Sequence, residues 1–281
     1  MGAPFPPAVT GLRGRGELAR IVVDWTPVPW HTVVDHYAVH GAPGSGVRIS
    51  SETLLAKTVY PHFEHKGLGG AAQRWTYQVV TVGASGARSR PSAPIPVTSR
   101  ESVSASGIPL AVVGDFDGKG LEFALSPDGY SRYPATFPNG VDFRLGTGDP
   151  RKAWSYLQPG PADSWAGRRD HRFRLRFDLA AAPTTGVDLA LWLIDSHATI
   201  PGSAVLGING TTVDRLAFAG GATKGSTLGD STAAGSPLKP SYLERPLPAE
   251  LFRAGENVLE LHKDEGSWIA YDAIGVFARR G

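Results

Sequence analysis

The chain has 281 residues, with 28 basic and 26 acidic side chains, a formal net charge of +2 and no cysteine. This near-balance of charge argues against a nucleic-acid partner. The missing cysteine excludes disulfides, thiolate metal sites and a cysteine nucleophile. No segment approaches the ~18 consecutive apolar residues that a membrane span needs, so no membrane partner is expected. The length predicts two domains, because single cores commonly split beyond roughly 250 residues.

The sequence predicts many tight turns, because 35 Gly and 23 Pro are spread along its whole length. Short alternating or apolar segments lie between these turn signals, as is typical of an all-β protein. In the first 100 residues seven short strands are expected, the clearest being residues 21–25, 34–40, 53–58 and 75–82, with an exit strand ending at Val97.

These segments carry the residue pattern of a known domain. The pattern comprises Trp25, the Tyr37-x-Val39 pair, Leu68 nine residues before Tyr77-x-Val79, and the closing run from Ser89 to Pro94. In these positions the sequence resembles a fibronectin type III domain, and the resemblance implies an immunoglobulin-like sandwich over residues 1–100. Such domains serve as spacers as often as they bind a ligand, so the resemblance implies a fold and no particular function.

A polar segment at 101–107 has the composition of a linker, and a second all-β domain is expected over 108–281. About eight strands in this second domain suit a jelly-roll sandwich, with Arg or Asp facing out and Phe or Leu facing in. The seven clearest are predicted at residues 108–113, 141–145, 172–179, 187–194, 204–209, 257–262 and 268–277, with one short helix-like stretch at 248–254.

The second domain also carries a family pattern. It runs through residues 113–123, 143–156, 208–210, 251–257 and 271–274. It resembles the C-terminal jelly-roll domain of rhamnogalacturonan lyases, a carbohydrate-binding-like domain that follows a fibronectin-like domain in those enzymes. The family's catalytic domain precedes both and has no counterpart in this chain. The resemblance therefore implies an accessory region of a longer parent protein.

Five aromatic residues in or near loops are candidates for stacking on sugar rings, because a pyranose presents apolar C–H faces to an aromatic plane. They are Trp154, Tyr156, Trp165, Tyr242 and Trp268. The alternative for each ring is core or rim packing, since Trp is usually well buried. Arg144 and Lys263 are further ligand candidates, because cationic side chains can meet uronate carboxylates.

Alternating carboxylates in Asp115, Asp117 and Glu122, with a turn at Gly118, are typical of a calcium loop. By resemblance to sugar-binding jelly rolls, Glu122 and Asp272 form the expected pair of calcium ligands. The alternative is a solvated turn, because a complete calcium cage needs ~6 to 8 oxygens. No cofactor is expected to be required, and the one metal expected is a structural calcium.

Uronate β-elimination needs a base and a cation that stabilises the developing enolate. His197, Lys263, Tyr271 and Arg215 have the right chemistry, although their spacing in the sequence does not establish a site. The alternative is a structural or surface role, because most charged residues of a globular domain are simply solvated.

The sequence therefore predicts a secreted, accessory carbohydrate-binding region that recognises a plant cell-wall or other uronate-containing polysaccharide or oligosaccharide. No signal peptide is present in the chain itself. One alternative is a polysaccharide lyase, or another carbohydrate-active enzyme, with its site in the jelly roll. A second alternative is an adhesion or scaffold fragment that binds protein through its sheet edges.

Overall fold

The computed structural model describes residues 5–29, 34–228 and 238–280. The chain divides into two compact units, Met1–Ser102 and Val103–Gly281. The boundary falls within the segment predicted as a linker. Part of that segment forms a short helix, α1 (Val103–Ser106), which is the first element of the second unit.

The first unit is a two-sheet β-sandwich, and seven strands are described in it. They are β1 (Thr10–Glu17), β2 (Arg20–Thr26), β3 (His36–Pro43), β4 (Leu54–Thr58), β5 (His62–His65), β6 (Arg74–Val82) and β7 (Ile95–Thr98). One sheet has the order β1-β2-β5 and the other the order β4-β3-β6-β7. This division into three and four antiparallel strands is the immunoglobulin-like arrangement that the residue pattern predicts.

The aromatic and aliphatic residues that carried the fibronectin type III resemblance lie in the core of this unit. Trp25, Tyr37, Leu68 and Tyr77 belong to one buried cluster. The Tyr37 ring meets Trp25 edge to face at 5.3 Å, and its hydroxyl accepts the backbone N–H of Val28 at 2.8 Å. The pattern is therefore a packing pattern, because its large rings fill the space between the two sheets.

The second unit contains the remaining described strands and two further short helices, α2 (Tyr133–Thr136) and α3 (Pro150–Ala153). The strands are β8 (Ile108–Gly114), β9 (Val141–Arg144), β10 (Leu157–Gln158), β11 (His171–Leu179), β12 (Val187–Ser196), β13 (Ser203–Ile208), β14 (Thr211–Ala217), β15 (Ser241–Leu247), β16 (Gly255–Lys263) and β17 (Ile269–Ala278).

These strands form two five-stranded sheets. In the first, β17 pairs with β12 along one edge and with β8 and β10 along the other, and β15 follows β12. The second sheet has the order β14-β13-β16-β11-β9, antiparallel except for the parallel pair of β11 and β9. Apolar side chains from both sheets share one buried cluster. The expected fold class, an all-β chain with a fibronectin type III-like sandwich followed by a jelly-roll sandwich, is confirmed.

Strand β11 shows why this sheet has one apolar and one charged face. Its sequence alternates, with Phe173, Leu175 and Phe177 fully buried and the intervening arginines at least partly exposed. Since successive side chains of a strand point to opposite faces, the arginines project from the outer face. The helix-like stretch predicted at 248–254 is only a 3₁₀ turn at Ala249–Leu251. In the part of the chain that the structure describes, no helix is long and apolar enough to span a bilayer.

Candidate functional site

The outer face of the second sheet carries an open groove of about 680 Å³. It is lined by Arg172, Arg174, Arg176, Val205, Gly207, Asn209, Gly210, Thr211, Thr212, Arg253, Val258, Glu260 and His262. Nearly all of the lining comes from strands and one hairpin turn. The walls are therefore held by a hydrogen-bonded sheet.

The register of three strands explains why a groove forms here. Arg174 of β11 is paired with Glu260 of β16, which is paired in turn with Gly207 of β13. These three residues form one row across the sheet, and Gly207 has no side chain. A Cβ atom built at Gly207 would meet only ordinary van der Waals contacts, at 3.5 Å from the Thr211 carbonyl oxygen and 3.9 Å from Glu260 Cβ. The missing side chain leaves room over the centre of the sheet.

The groove is rich in guanidinium groups. Its lining contains four arginines against one carboxylate, that of Glu260. Glu260 serves two of the arginines, since Arg172 Nη1 lies 2.9 Å from Oε1 and Arg174 Nε lies 2.6 Å from Oε2. Such a surface can bind a ligand with carboxylate or sulfate groups, because guanidinium pairs with these anions in a planar, bidentate geometry.

None of the candidate site residues predicted from the sequence lines this groove. The three arginines of β11 were expected on the outside of a strand, but they were not proposed as ligand residues. The signal available was their alternation in the run from His171 to Leu179. Arg253 has no comparable signal, because it reaches the groove from the turn before β16.

Three of the predicted sugar-stacking rings lie in the core. Trp154 and Tyr156 are 1% and 0% exposed and Trp268 is 6% exposed, and all three belong to the central cluster. Trp154, for example, packs edge to face against Phe173 and Tyr271 at 5.5 Å. These rings have no free face for a sugar, which corrects the prediction. Flanking Gly and Pro residues indicated loops, but the sheets close over them.

The other two predicted rings are half-buried. Trp165 meets Tyr130 edge to face at 5.3 Å, and Tyr130 is 40% exposed. Tyr242 of β15 meets Trp192 at 4.7 Å. Neither Trp165 nor Tyr242 lines the groove.

The two cations predicted to meet uronates also have other roles. Arg144 lies outside the groove lining and pairs with Asp178 at 2.7 Å and with Glu256. Lys263 is fully buried, and its Nζ donates to the carbonyl oxygens of Pro201 at 2.6 Å and of Glu265. Burial lowers the pKa of Lys263 to about 8. Its ammonium group therefore holds the ends of two loops together and does not reach a ligand.

The four catalytic candidates are engaged in separate structural contacts. Tyr271 is fully buried, donates to Gln158 Oε1, and has a pKa raised by burial far above its usual value. Arg215 makes a bidentate pair with Asp264 at 2.7 and 2.8 Å. His197 Nδ1 accepts the backbone N–H of Ile200 at 3.2 Å. With Lys263 buried, no proton-abstracting centre emerges from these four residues, and this corrects the prediction.

The predicted calcium loop is partly assembled. Asp272 Oδ1 accepts the backbone N–H of Lys119 at 2.9 Å, and Asp117 Oδ1 accepts the same N–H at 2.9 Å. Glu122 Oε1 accepts the backbone N–H of Asp115 at 2.8 Å. Within the described residues, no three acidic or histidine side chains converge as a cation site, so the four-carboxylate set is not formed.

One atom of this cluster lacks a partner. Asp272 is 1% exposed, and no hydrogen-bond donor among the described residues reaches its Oδ2. Burial, with a smaller contribution from the charges of Asp117 and Glu122, raises the pKa of Asp272 to about 7. An orphaned, buried carboxylate oxygen beside a second carboxylate fits a hard cation such as Ca²⁺.

A scan against protein-family models found no match, and neither did a search of curated proteins. The resemblance to rhamnogalacturonan lyases therefore stays a prediction. Among solved structures, a human fibronectin type III domain is 16% identical, with 38% of this chain and 96% of that domain covered and a TM-score of 0.30.

The twitchin kinase region from C. elegans is 21% identical, with 34% of this chain and 16% of that chain covered and a TM-score of 0.29. A β-1,2-glucanase from Parabacteroides distasonis is 16% identical, with 35% of this chain and 13% of that chain covered and a TM-score of 0.28. The chain thus spans only a small part of these two larger proteins.

Proposed function

We propose that the chain is an accessory, polysaccharide-binding region and that the arginine-lined groove of the second unit holds a uronate-containing polymer. The observation that carries this proposal is the open groove of about 680 Å³ with four arginines in its lining. This function would place the protein outside the cell, where such polymers occur.

The geometry suits a linear acidic polysaccharide for two reasons. Arg172, Arg174 and Arg176 alternate along β11, so their side chains recur about every 7 Å in a row along the groove. The lining also contains the hydroxyls of Thr211 and Thr212, which can form hydrogen bonds with sugar hydroxyls. A polymer with repeated carboxylates and hydroxyls would meet both kinds of group.

Affinity electrophoresis in gels that contain polygalacturonate, alginate or a neutral galactan tests the proposal. We expect retardation by at least one of the two uronate polymers, weakened by added NaCl because ion pairs at a solvated surface are screened. No retardation by either uronate polymer contradicts the proposal. Release of unsaturated ends during incubation would instead support the lyase alternative.

A space-filling variant tests the site itself. Gly207→Val should weaken binding about tenfold or more, equivalent to at least about 1.4 kcal/mol, because the new side chain fills the centre of the groove. Gly46→Val is the matched control, since the same bulk is added where no atom lies within 4 Å. Equal binding by both variants would place the ligand elsewhere.

We also propose that Ca²⁺ is held by Asp272 and Glu122, where it would compensate the negative charge of the buried Asp272 and its neighbour. The support is the orphaned Oδ2 of Asp272. Calorimetric titration of chelator-treated protein with CaCl₂ should show binding that Asp272→Asn removes and that Asp178→Asn, at an exposed carboxylate, leaves intact. The proposal would be contradicted if the titration gave no binding heat and CaCl₂ left the melting temperature of the protein unchanged.

A further inference from the structure

Three of the four groove arginines already have carboxylate partners within the protein. Arg172 and Arg174 share Glu260. Arg176 makes a bidentate contact with Asp142 at 2.5 and 2.8 Å, and its Nη1 lies 3.3 Å from Glu256 Oε1. Their charge is therefore largely compensated before any ligand arrives, and a ligand carboxylate would have to compete with these partners.

Arg253 differs from the other three. Among the described residues, no carboxylate lies within ion-pair distance of its guanidinium, although the side chain is exposed. Its Nε donates to the backbone carbonyl of Glu256 at 3.1 Å. This bond orients the guanidinium and leaves the edge formed by the two terminal nitrogens available. That edge is the one with which arginine binds a carboxylate in bidentate fashion.

A buried amide pair fixes the backbone that carries Arg253. Asn257 is fully buried, and its Oδ1 accepts the backbone N–H of Arg253 at 3.0 Å while its Nδ2 donates to the Arg253 carbonyl at 2.8 Å. Asn209, at the hairpin turn that lines the groove, donates to Asn257 Oδ1 at 2.9 Å. These two asparagines belong to the sequence patterns at 208–210 and 251–257. They hold the backbone of Arg253 in place beside the groove, so less conformational entropy is lost when Arg253 binds a ligand.

We infer that Arg253 is the specificity-determining residue of the groove and that it binds a uronate carboxylate of the polysaccharide. The inference rests on the proposed function, because it assumes that the groove holds the polymer. Under this assignment Arg253 distinguishes an acidic sugar from its neutral counterpart. The three arginines of β11 contribute weaker contacts to the polymer, because they keep their carboxylate partners within the protein.

The experiment compares four proteins on two probes. The proteins are the wild type, Arg253→Gln, Arg253→Lys and Arg280→Gln; the last removes one exposed positive charge outside the groove lining. The probes are polygalacturonate and alginate. Each is used as its sodium salt, in which the carboxylates are ionised, and as its fully methyl-esterified form. Dissociation constants come from calorimetry at one fixed ionic strength, and circular dichroism verifies that each variant is folded.

For each polymer that the wild type binds, we expect Arg253→Gln to weaken binding to the acid form roughly tenfold or more and to change binding to the ester little. Arg253→Lys should keep part of the affinity, because the charge remains but the bidentate edge is lost. Arg280→Gln should match the wild type.

The two possible failures give different results. If the wild type binds neither acid polymer, the proposed function fails and the inference fails with it. A second outcome is that the wild type and Arg253→Gln bind the acid polymer equally well and Gly207→Val does not bind it. The groove is then the binding site, and the assignment to Arg253 is wrong. Equal losses for Arg253→Gln and Arg280→Gln would show general charge attraction and would also overturn it.

Discussion

The carboxylate of Asp272 accepts the backbone N–H of Lys119 at 2.9 Å through one oxygen only. Its second oxygen is buried and has no donor among the described residues. Asp272 lies on the last strand and Lys119 on the turn after β8, so the contact joins distant parts of the sequence in one sheet region. Ionisation of this group in the metal-free protein is therefore unfavourable.

In the metal-free protein, Asp272 should contribute a loss of stability as the pH rises from about 4 to about 7. Burial raises the pKa of Asp272 from 3.8 to about 7, so the folded state binds more protons than the unfolded state in this window. A shift of this size corresponds to about 4 kcal/mol. Urea unfolding at several pH values, with and without Asp272→Asn, measures the effect. An identical pH profile for the variant would contradict it.

His171 should act in the opposite direction. It is 1% exposed, and burial lowers its pKa from 6.5 to about 4, with a smaller contribution from the charge of Arg169. Between these values the unfolded state binds more protons, so stability is lost as the pH falls from about 6.5 to 4, by about 3 kcal/mol in total.

In His171→Asn the free energy of unfolding should therefore fall more steeply between pH 4 and 7, because only the Asp272 effect remains. Asn can still contact the Tyr133 hydroxyl but does not titrate. The measurement is the same set of urea titrations between pH 4 and 7. A variant that keeps the acid-side loss of stability would show that another group is responsible.

Lys263 should resist modification by reagents that attack exposed amines. Although its pKa is lowered to about 8, it is fully buried and donates to backbone carbonyls. The side chain of Lys152 is 83% exposed and provides the internal control. After brief reductive methylation of the folded protein, mass spectrometry should find Lys152 modified and Lys263 unmodified. Equal modification would mean that the Lys263 site opens in solution.

Asn257→Ala should destabilise the second unit by about 3 kcal/mol, because it removes four hydrogen bonds, among them those to the backbone groups of Arg253 and Gly255, while Asn209 keeps its bonds to Leu251 and Val258. Asn139→Ala, at an exposed position, should change the free energy of unfolding little. Chemical unfolding followed by circular dichroism compares the two. A loss for Asn257→Ala no larger than that for Asn139→Ala would contradict the role of this network.

In the second unit the sequence predicted the central strands and the edge strands β8 and β9, but it missed the edge strands β10, β14 and β15. Strands β12 and β17 are buried along nearly all of their length and were predicted from their apolar runs. Strand β14 is mostly exposed and β15 contains Pro246, and neither was predicted. An edge strand has one solvated side and tolerates Pro, so its sequence carries little periodic signal.

By itself, the sequence determined the two-sandwich fold and the outward row of arginines on β11, because side-chain alternation is a local property of a strand. Only the tertiary structure decided which aromatic rings are buried. It also decided that β16 lies between β11 and β13 with Gly207 in register, and that Arg253 reaches the groove without a carboxylate partner among the described residues. These features depend on pairing between segments far apart in the chain, which no local pattern specifies.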